Sequence, residues 1–572
     1  MKLFKRFAAS LLAFVACCAF VSFTTSANSR ADEPESPVFA TVTIASLDDL
    51  QAAAMRVAEK LEKQDQAKIL FDFARSQKLI GALDSTQPIR LAFATDNNTV
   101  APFSRIAILD PESEAIKEFI ETIVARIGNL DGEARVKDNA IYVSQAAIMD
   151  FITSIPLEKL AITHEESNAP SPIVAIDLNL LNLPKEMLEA GSSTLRLMVA
   201  EAISELDSEE QVEQLDKLFD YIFDALDCVE TLRASIALDN TCALVATLTA
   251  TFKDGSFLAD EFARSQQSPT RWAALTNLPN SIYSDVSTAV VSERVRELAK
   301  GAYSELSEVA EILDSSRPIT AIIDEPENYQ LVKELLALLE KAAEKSSELD
   351  VFDSGFAFLA RPAAIVAGSS EASTQEYREI LAKIAERLIK ENAKFNEYIA
   401  LDAEEFEGYS VSKITLPMKE FCALESYSDA SIVVRLALAS DAVVFSVALV
   451  DDNGAQLDET LKTVLAESKK TTPQPTEAVF ELSQLALLAK NILQSLEGEV
   501  ELTDEARATL ECVASNTDAK ITFRNEFRDN KLTAQAIASG SIIDSIKAIV
   551  DNVEEAKAKN SGEDIDDIFD EE

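Results

Sequence analysis

The sequence predicts an α+β fold, made of tandem units in which antiparallel hairpins build a sheet and helices cover one face. Three observations lead there. Hydrophobic periodicity switches from two, the spacing of a half-buried strand, to 3.6, the spacing of an amphipathic helix. The switch recurs four times along the chain, each time as strand, tight turn, strand and helix. Short sequence echoes also return in the same order in the two halves. A strand–strand–helix unit cannot bury its apolar faces alone, so neighbours of the same kind are required.

Residues 1–27 read as a secretory signal peptide. Lys2, Lys5 and Arg6 supply the positive end, residues 7–23 the apolar run, and Thr25-Ser26-Ala27 or Ser29-Arg30-Ala31 the cleavage site. The mature protein is therefore expected to be exported, to the periplasm or the exterior. No later stretch reaches 18 uninterrupted apolar residues, so no stable membrane span is expected after cleavage.

After a short linker a strand is predicted over 38–45. Ser46, with Asp49 three residues on, is placed to cap a helix whose stripe is Leu47, Leu50, Ala54, Val57, Ala58 and Leu61. The first hairpin pairs 89–95 with 103–109 across Asp96-Asn97-Asn98. Asp110 is expected to cap the next helix, with Pro111 at its first position, where a missing N–H costs nothing. The second hairpin alternates Leu232, Ala234, Ile236 and Leu238, turns at Asp239-Asn240, and alternates again from Leu244 to Phe252. Asp254-Gly255-Ser256 then opens a helix bearing Phe257, Leu258 and Phe262. The third copy spans 431–465, turning at Ser440-Asp441 and entering its helix through Asp451-Asp452-Asn453-Gly454. The fourth pairs 520–528 with 531–538 across Asp529-Asn530, residues that tolerate left-handed backbone angles. Its helix carries Ile542, Ile543, Ile546 and Ile549.

These elements divide the chain into α+β units over 38–164, 172–264, 270–467 and 476–552. Residues 563–572 hold seven carboxylates, a self-repelling block, so 553–572 is expected to be a disordered acidic tail. Leu83-Asp84-Ser85-Thr86-Gln87-Pro88-Ile89 returns as Leu313-Asp314-Ser315-Ser316-Arg317-Pro318-Ile319, shifted by 230. Leu226-Asp227-Cys228-Val229 returns as Leu510-Glu511-Cys512-Val513, shifted by 284. Because the shifts differ, one internal duplication requires an extra hairpin, the third copy, in the second half.

Composition excludes more chemistry than it suggests. With 47% apolar and 26% charged residues the chain is globular, and a net charge of −46 disfavours nucleic acid and anionic membrane surfaces. The single histidine, His164, sits beside Glu165 and Glu166, so histidine triads and multi-histidine metal sites have no material. Only 13 glycines occur, and no phosphate-binding or nucleophile-elbow glycine pattern is present. Ser410-Val411-Ser412-Lys413 matches S-x-x-K, but 408–416 alternates as a strand, which points Ser410 and Lys413 to opposite faces. Asp451-Asp452-Asn453-Gly454 fails as a calcium loop, because Leu449 stands where the first carboxylate is needed. Cys228, Cys242, Cys422 and Cys512 allow three pairings. A simple hairpin does not join Cys228 to Cys242, and Cys228, Cys422 and Cys512 each follow a helical stretch and precede a hairpin, where a small buried residue is wanted, so buried thiols are expected. No catalytic, cofactor-binding or metal-ligating residue is assigned.

The strand–helix–hairpin pattern of 106–152, with Ala134-Arg135-Val136-Lys137-Asp138-Asn139-Ala140-Ile141-Tyr142-Val143 as its hairpin, resembles uncharacterised exported bacterial α+β repeat proteins. The looser run 355–369 is similar to them too. The resemblance covers about half of the chain and implies an exported repeat fold without an assigned activity. The function expected is therefore non-catalytic binding or scaffolding with an unknown protein partner. A second expectation is an extracytoplasmic carrier of a small apolar ligand, enclosed by Leu331, Leu335, Leu338, Leu339, Phe71 and Phe73. A third is a carboxylate-dependent hydrolase, for which 98 acidic residues offer material but no way to choose.

Overall fold

Alternation of apolar and polar side chains places the strands, and the computed structural model shows how they pair. It describes residues 37–566 apart from 97–98, 128–131, 157–158, 160–169, 184–192, 195–196, 198–208, 297–325, 347, 361–362, 370–373, 421–429, 451–453, 474–476 and 496–502. The signal region, His164, Cys422, the echo at 313–319 and Asp451 to Asn453 lie outside the described residues.

The chain divides into two units, Met1–Ala259 with Asp529–Asp544, and Asp260–Arg528 with Ser545–Glu572. In the first, β1 (Val38–Ile44), β2 (Ile89–Asp96), β3 (Thr99–Ala107), β4 (Gly132–Lys137), β5 (Ala140–Gln145), β6 (Pro172–Asn179), β7 (Val229–Leu238) and β8 (Leu244–Phe252) pair antiparallel. Their order is β4-β5-β3-β2-β1-β6-β7-β8, and Lys531–Ala538 adds to β8. The expected boundary between 164 and 172 is thus not a boundary of the sheet, since β1 pairs with both β2 and β6.

The second unit contains β10 (Ser281–Val290), β11 (Val351–Leu359), β12 (Ala363–Ser369), β13 (Ile399–Phe406), β14 (Tyr409–Pro417), β15 (Ser431–Leu438) and β16 (Ala442–Val450). With β18 (Glu477–Glu481) and β19 (Lys520–Arg528) they run β13-β14-β15-β16-β12-β11-β10-β18-β19. Two short strands, β9 (Pro269–Thr270) and β17 (Thr472–Pro473), pair apart from this sheet. The strand Lys531–Ala538 is β20. With β10 set against β1, the second order follows the first from β4 through β7, except that the hairpin β15–β16 stands between β14 and β12; β8 has no counterpart in it.

Helices occupy both faces of each sheet, not one as expected. In the first unit Tyr142 packs with Phe103, Met149 and Ile152, while its neighbours Ile141 and Val143 pack with Ile116 and Phe119 of the helix Glu114–Ile127. In the second, Val433 and Ala437 meet Leu457, Leu461 and Val464 of the helix Ala455–Glu467, and Leu436 and Leu438 meet Leu381 of the helix Thr374–Glu391. The cause is local. Runs such as Ala140-Ile141-Tyr142-Val143 and Leu436-Ala437-Leu438 are apolar at successive positions, which suits only a strand covered on both sides.

Smaller differences have equally local causes. Asp110 does not cap the first unit's helix directly. Its carboxylate accepts from Glu112 N at 2.9 Å in an Asx turn through Pro111, and the helix begins at Glu114. The turn after β7 is longer than Asp239-Asn240, because Asp239 Oδ1 accepts from Thr241 N and Ala243 N, each at 2.8 Å, which puts Cys242 in the turn with φ +64°. The C-terminal helix runs Ser541–Asp566, past the point at 553 where a disordered tail was expected to begin. Ser46 caps the helix Leu47–Lys60 as predicted, its hydroxyl accepting from Asp49 N at 3.1 Å.

Candidate functional site

A concentrated set of ionisable groups in the second unit grows from three strands and one helix. Arg435 stands in the middle of β15, inside the apolar run 432–438, and register sets it directly opposite Lys413 of β14. Like charges facing each other across strands repel. The chain answers with Asp458, one turn into the helix Ala455–Glu467. Its Oδ1 accepts from Arg435 Nε at 2.6 Å and its Oδ2 from Lys413 Nζ at 3.1 Å. Arg435 is 2% exposed, and its Nη1 also donates to the carbonyls of Ile414 at 3.0 Å and Val434 at 3.1 Å. Gly454 opens the helix with φ +87°, and a Cβ there would lie 2.7 Å from Val433 and 2.8 Å from Arg435 Nη2. The close approach therefore requires glycine.

The network continues toward solvent. Lys413 Nζ lies 2.7 Å from Glu404 Oε2, and Lys462 Nζ 3.4 Å from Glu404 Oε1 and 5.8 Å from the centre of the Phe406 ring. With Val411, Leu461 and Leu465 these residues line a shallow surface cleft. The hydrogen bond from Lys413 holds Glu404 below the ordinary glutamate range, outweighing its partial burial. Burial works against the charge on Lys413, but hydrogen bonds to Glu404 and Asp458 outweigh it and raise the lysine. Both carboxylates are engaged by cations, so neither is placed to take a proton from a substrate. Chemically the arrangement is an ion-pair seam between sheet and helix.

A second buried carboxylate, Asp353 on β11, serves the loop that carries the single tryptophan. Thr270 Oγ1 donates to its Oδ1 at 2.7 Å, Thr288 Oγ1 donates to the same atom at 3.2 Å, and Arg271 N donates to its Oδ2 at 2.9 Å. Burial pushes Asp353 above the ordinary aspartate range, and these donors pull only partly back. Trp272 Nε1 bonds the Asp353 carbonyl at 3.2 Å. Trp272 Cβ and Leu275 pack over Gly355, where a Cβ would lie 2.5 Å from Leu275 Cδ1. Perturbed carboxyls mark active sites often, but this one acts as an internal cap.

Ser410 and Lys413 part company as the strand reading requires. Ser410 Oγ donates to Asp402 Oδ1 at 2.5 Å, whereas Lys413 reaches Asp458 and Glu404. Cys228 and Cys242 are buried free thiols, and Cys512 is a half-buried one. Phe73 and Leu339, expected around a ligand cavity, are 64% and 39% exposed and do not line the cleft. Among the described residues no group of three His, Cys, Asp or Glu side chains is placed to hold a metal ion, and no helix is long and apolar enough to cross a membrane. Sequence reasoning missed Glu404, Arg435 and Asp458. Arg435 carried a usable signal, a lone charge inside an apolar strand run, which demands a buried partner. No protein-family model, curated protein or solved structure matches the chain.

Proposed function

We propose that this is an exported, non-catalytic binding or scaffold protein, built by duplication of one strand–helix–hairpin unit, and that it binds through the sheet of its first unit. The observation carrying the reading is an apolar stretch of that sheet. Leu91 on β2 faces Val42 on β1, Val42 faces Ile176 on β6, Ile176 faces Ala234 on β7, and Ala234 faces Leu248 on β8. Ile44 and Ile236 lie on the same face, two positions along their strands. Of these, Leu91, Ile44, Ile176, Ile236 and Leu248 are 38–48% exposed. Thr41 and Asp177, on the opposite face of β1 and β6, are buried instead. Contiguous exposed apolar surface across five strands is the usual mark of an interaction site. Support for duplication comes from the strand order that seven strands of each unit share, interrupted by β15–β16.

The test is native mass spectrometry of the protein purified from the exported fraction of its own host, beside an Ile176→Lys/Leu248→Lys variant. A stable added protein mass that the variant loses is the expected result. An added mass that extracts into organic solvent would replace the scaffold with the apolar-ligand carrier. Turnover of a hydrolase substrate panel by the purified chain would overturn the non-catalytic reading.

A further inference from the structure

The first unit holds a like-charged pair with no counter-ion among the described residues. Arg90 on β2 stands directly opposite Arg105 on β3, and Arg105 directly opposite Tyr142 on β5. Antiparallel register puts all three side chains on one face, with Thr43 of β1 opposite Arg90 on the other side. Arg105 is 8% exposed and Tyr142 is 5% exposed, and Arg90 is half-buried. Arg105 Nε donates to Tyr142 Oη at 3.2 Å, and its guanidinium carbon lies 6.0 Å from the ring centre. That bond uses the tyrosine oxygen as acceptor, so its hydroxyl proton has no acceptor among the described residues. Neither guanidinium forms an ion pair with a carboxylate among those residues, although the chain has 98 acidic residues for 52 Lys and Arg. Burial first, and the charge of Arg105 second, hold Arg90 below the ordinary arginine value.

We propose that Arg90, Arg105 and Tyr142 form a binding site for a small oxyanion, a phosphate, sulfate or carboxylate group. Two opposed guanidinium forks match the paired oxygens of such a group and offer it several charge-assisted hydrogen bonds. The tyrosine hydroxyl adds one neutral donor. An anion seated there supplies what Asp458 supplies to Lys413 and Arg435, and its binding energy includes relief of the arginine–arginine repulsion. The site selects for charge and oxygen geometry.

Isothermal titration calorimetry on the full mature chain tests this, with sodium sulfate, phosphate and acetate each titrated at constant ionic strength in chloride. Saturable one-site binding of at least one anion is expected, weakened about tenfold or more in Arg90→Gln, since a charged hydrogen bond is worth about 1.5–3 kcal/mol. Arg105→Lys, which keeps the charge but loses the fork, should bind more weakly than the parent. Preference for sulfate and phosphate would identify a tetrahedral ligand, and preference for acetate a carboxylate. No saturable heat for any of the three, or binding unchanged in Arg90→Gln, would overturn the proposal. Arg90 has no hydrogen-bond or ion-pair partner among the described residues, so its replacement is the variant least exposed to failure of folding.

Discussion

Each unit sets two cations face to face across antiparallel strands, and the two pairs meet different fates. Lys413 and Arg435 in the second unit receive Asp458 from the helix laid over them, with Glu404 as a further partner of the lysine. Among the described residues, Arg90 and Arg105 in the first unit receive only a tyrosine hydroxyl. Burial does not separate the cases, because Arg435 and Arg105 are both buried. What differs is whether the described residues bring an anion to the spot. A neutralised pair acts as a seam, whereas an unneutralised one costs stability that a ligand can return.

The largest effect that would break this comparison is in the seam. Asp458→Ala leaves Arg435 buried beside Lys413 with no carboxylate between them. Removing one partner of a buried ion pair typically costs about 3–5 kcal/mol, and urea unfolding of the variant should show a loss near the lower figure, because Asp458 is partly exposed. A loss below about 1 kcal/mol, the worth of a surface pair, would show that Asp458 is not the neutraliser and would erase the contrast.

A smaller effect sharpens it. Replacing one cation of each pair with methionine keeps the stem and removes the charge. Arg435→Met should destabilise by about 1–3 kcal/mol through the bonds it leaves unmade. Arg90→Met, measured in chloride without sulfate or phosphate, should leave stability unchanged or raise it by up to about 1 kcal/mol, the scale of a like-charge cross-strand repulsion. Opposite signs in the same urea assay support the comparison. A loss of 1 kcal/mol or more in Arg90→Met would mean that the arginine already has a partner.

Much of the scaffold was legible because it rests on short-range rules. The alternation of 520–528 and 531–538, and the turn at Asp529 and Asn530 with φ +51° and +58°, follow from residues within a few positions of one another. So does the Ser46 cap. The candidate sites were not legible for the opposite reason. The β2–β3 hairpin that carries Arg90 and Arg105 was read from the sequence, but which charge faces which depends on exact register, and nothing local states that β14 lies against β15 or that β2 also lies against β1. Ala140 to Val143 show the same limit: their unbroken apolar run was visible, but coverage of both faces is set by where two other helices pack.

The mildest effect concerns pH, and it falls on one side of the comparison. Glu404 titrates below its ordinary value of 4.5 chiefly because Lys413 is hydrogen-bonded to it. Between the folded and unfolded values the unfolded chain therefore binds more protons at this site, so stability rises with pH there. The contribution is present above 4.5 and is lost as pH falls through the lower folded value. Lys413 behaves in mirror image. Its folded value lies above 10.5, so its contribution is present below 10.5 and lost as pH rises through the folded value. The seam is thus bounded by acid and by alkali, whereas no carboxylate among the described residues pairs with either arginine. Urea midpoints measured from about pH 5 down to pH 3 should fall less steeply in Glu404→Gln than in the parent, while Arg90→Gln should keep the parental slope in chloride. Glu404 is about a third exposed, so solvent screens the pair and the change in slope is modest. An identical slope in Glu404→Gln would assign the acid sensitivity to other carboxylates and leave Asp458 as the only anion that distinguishes the two pairs.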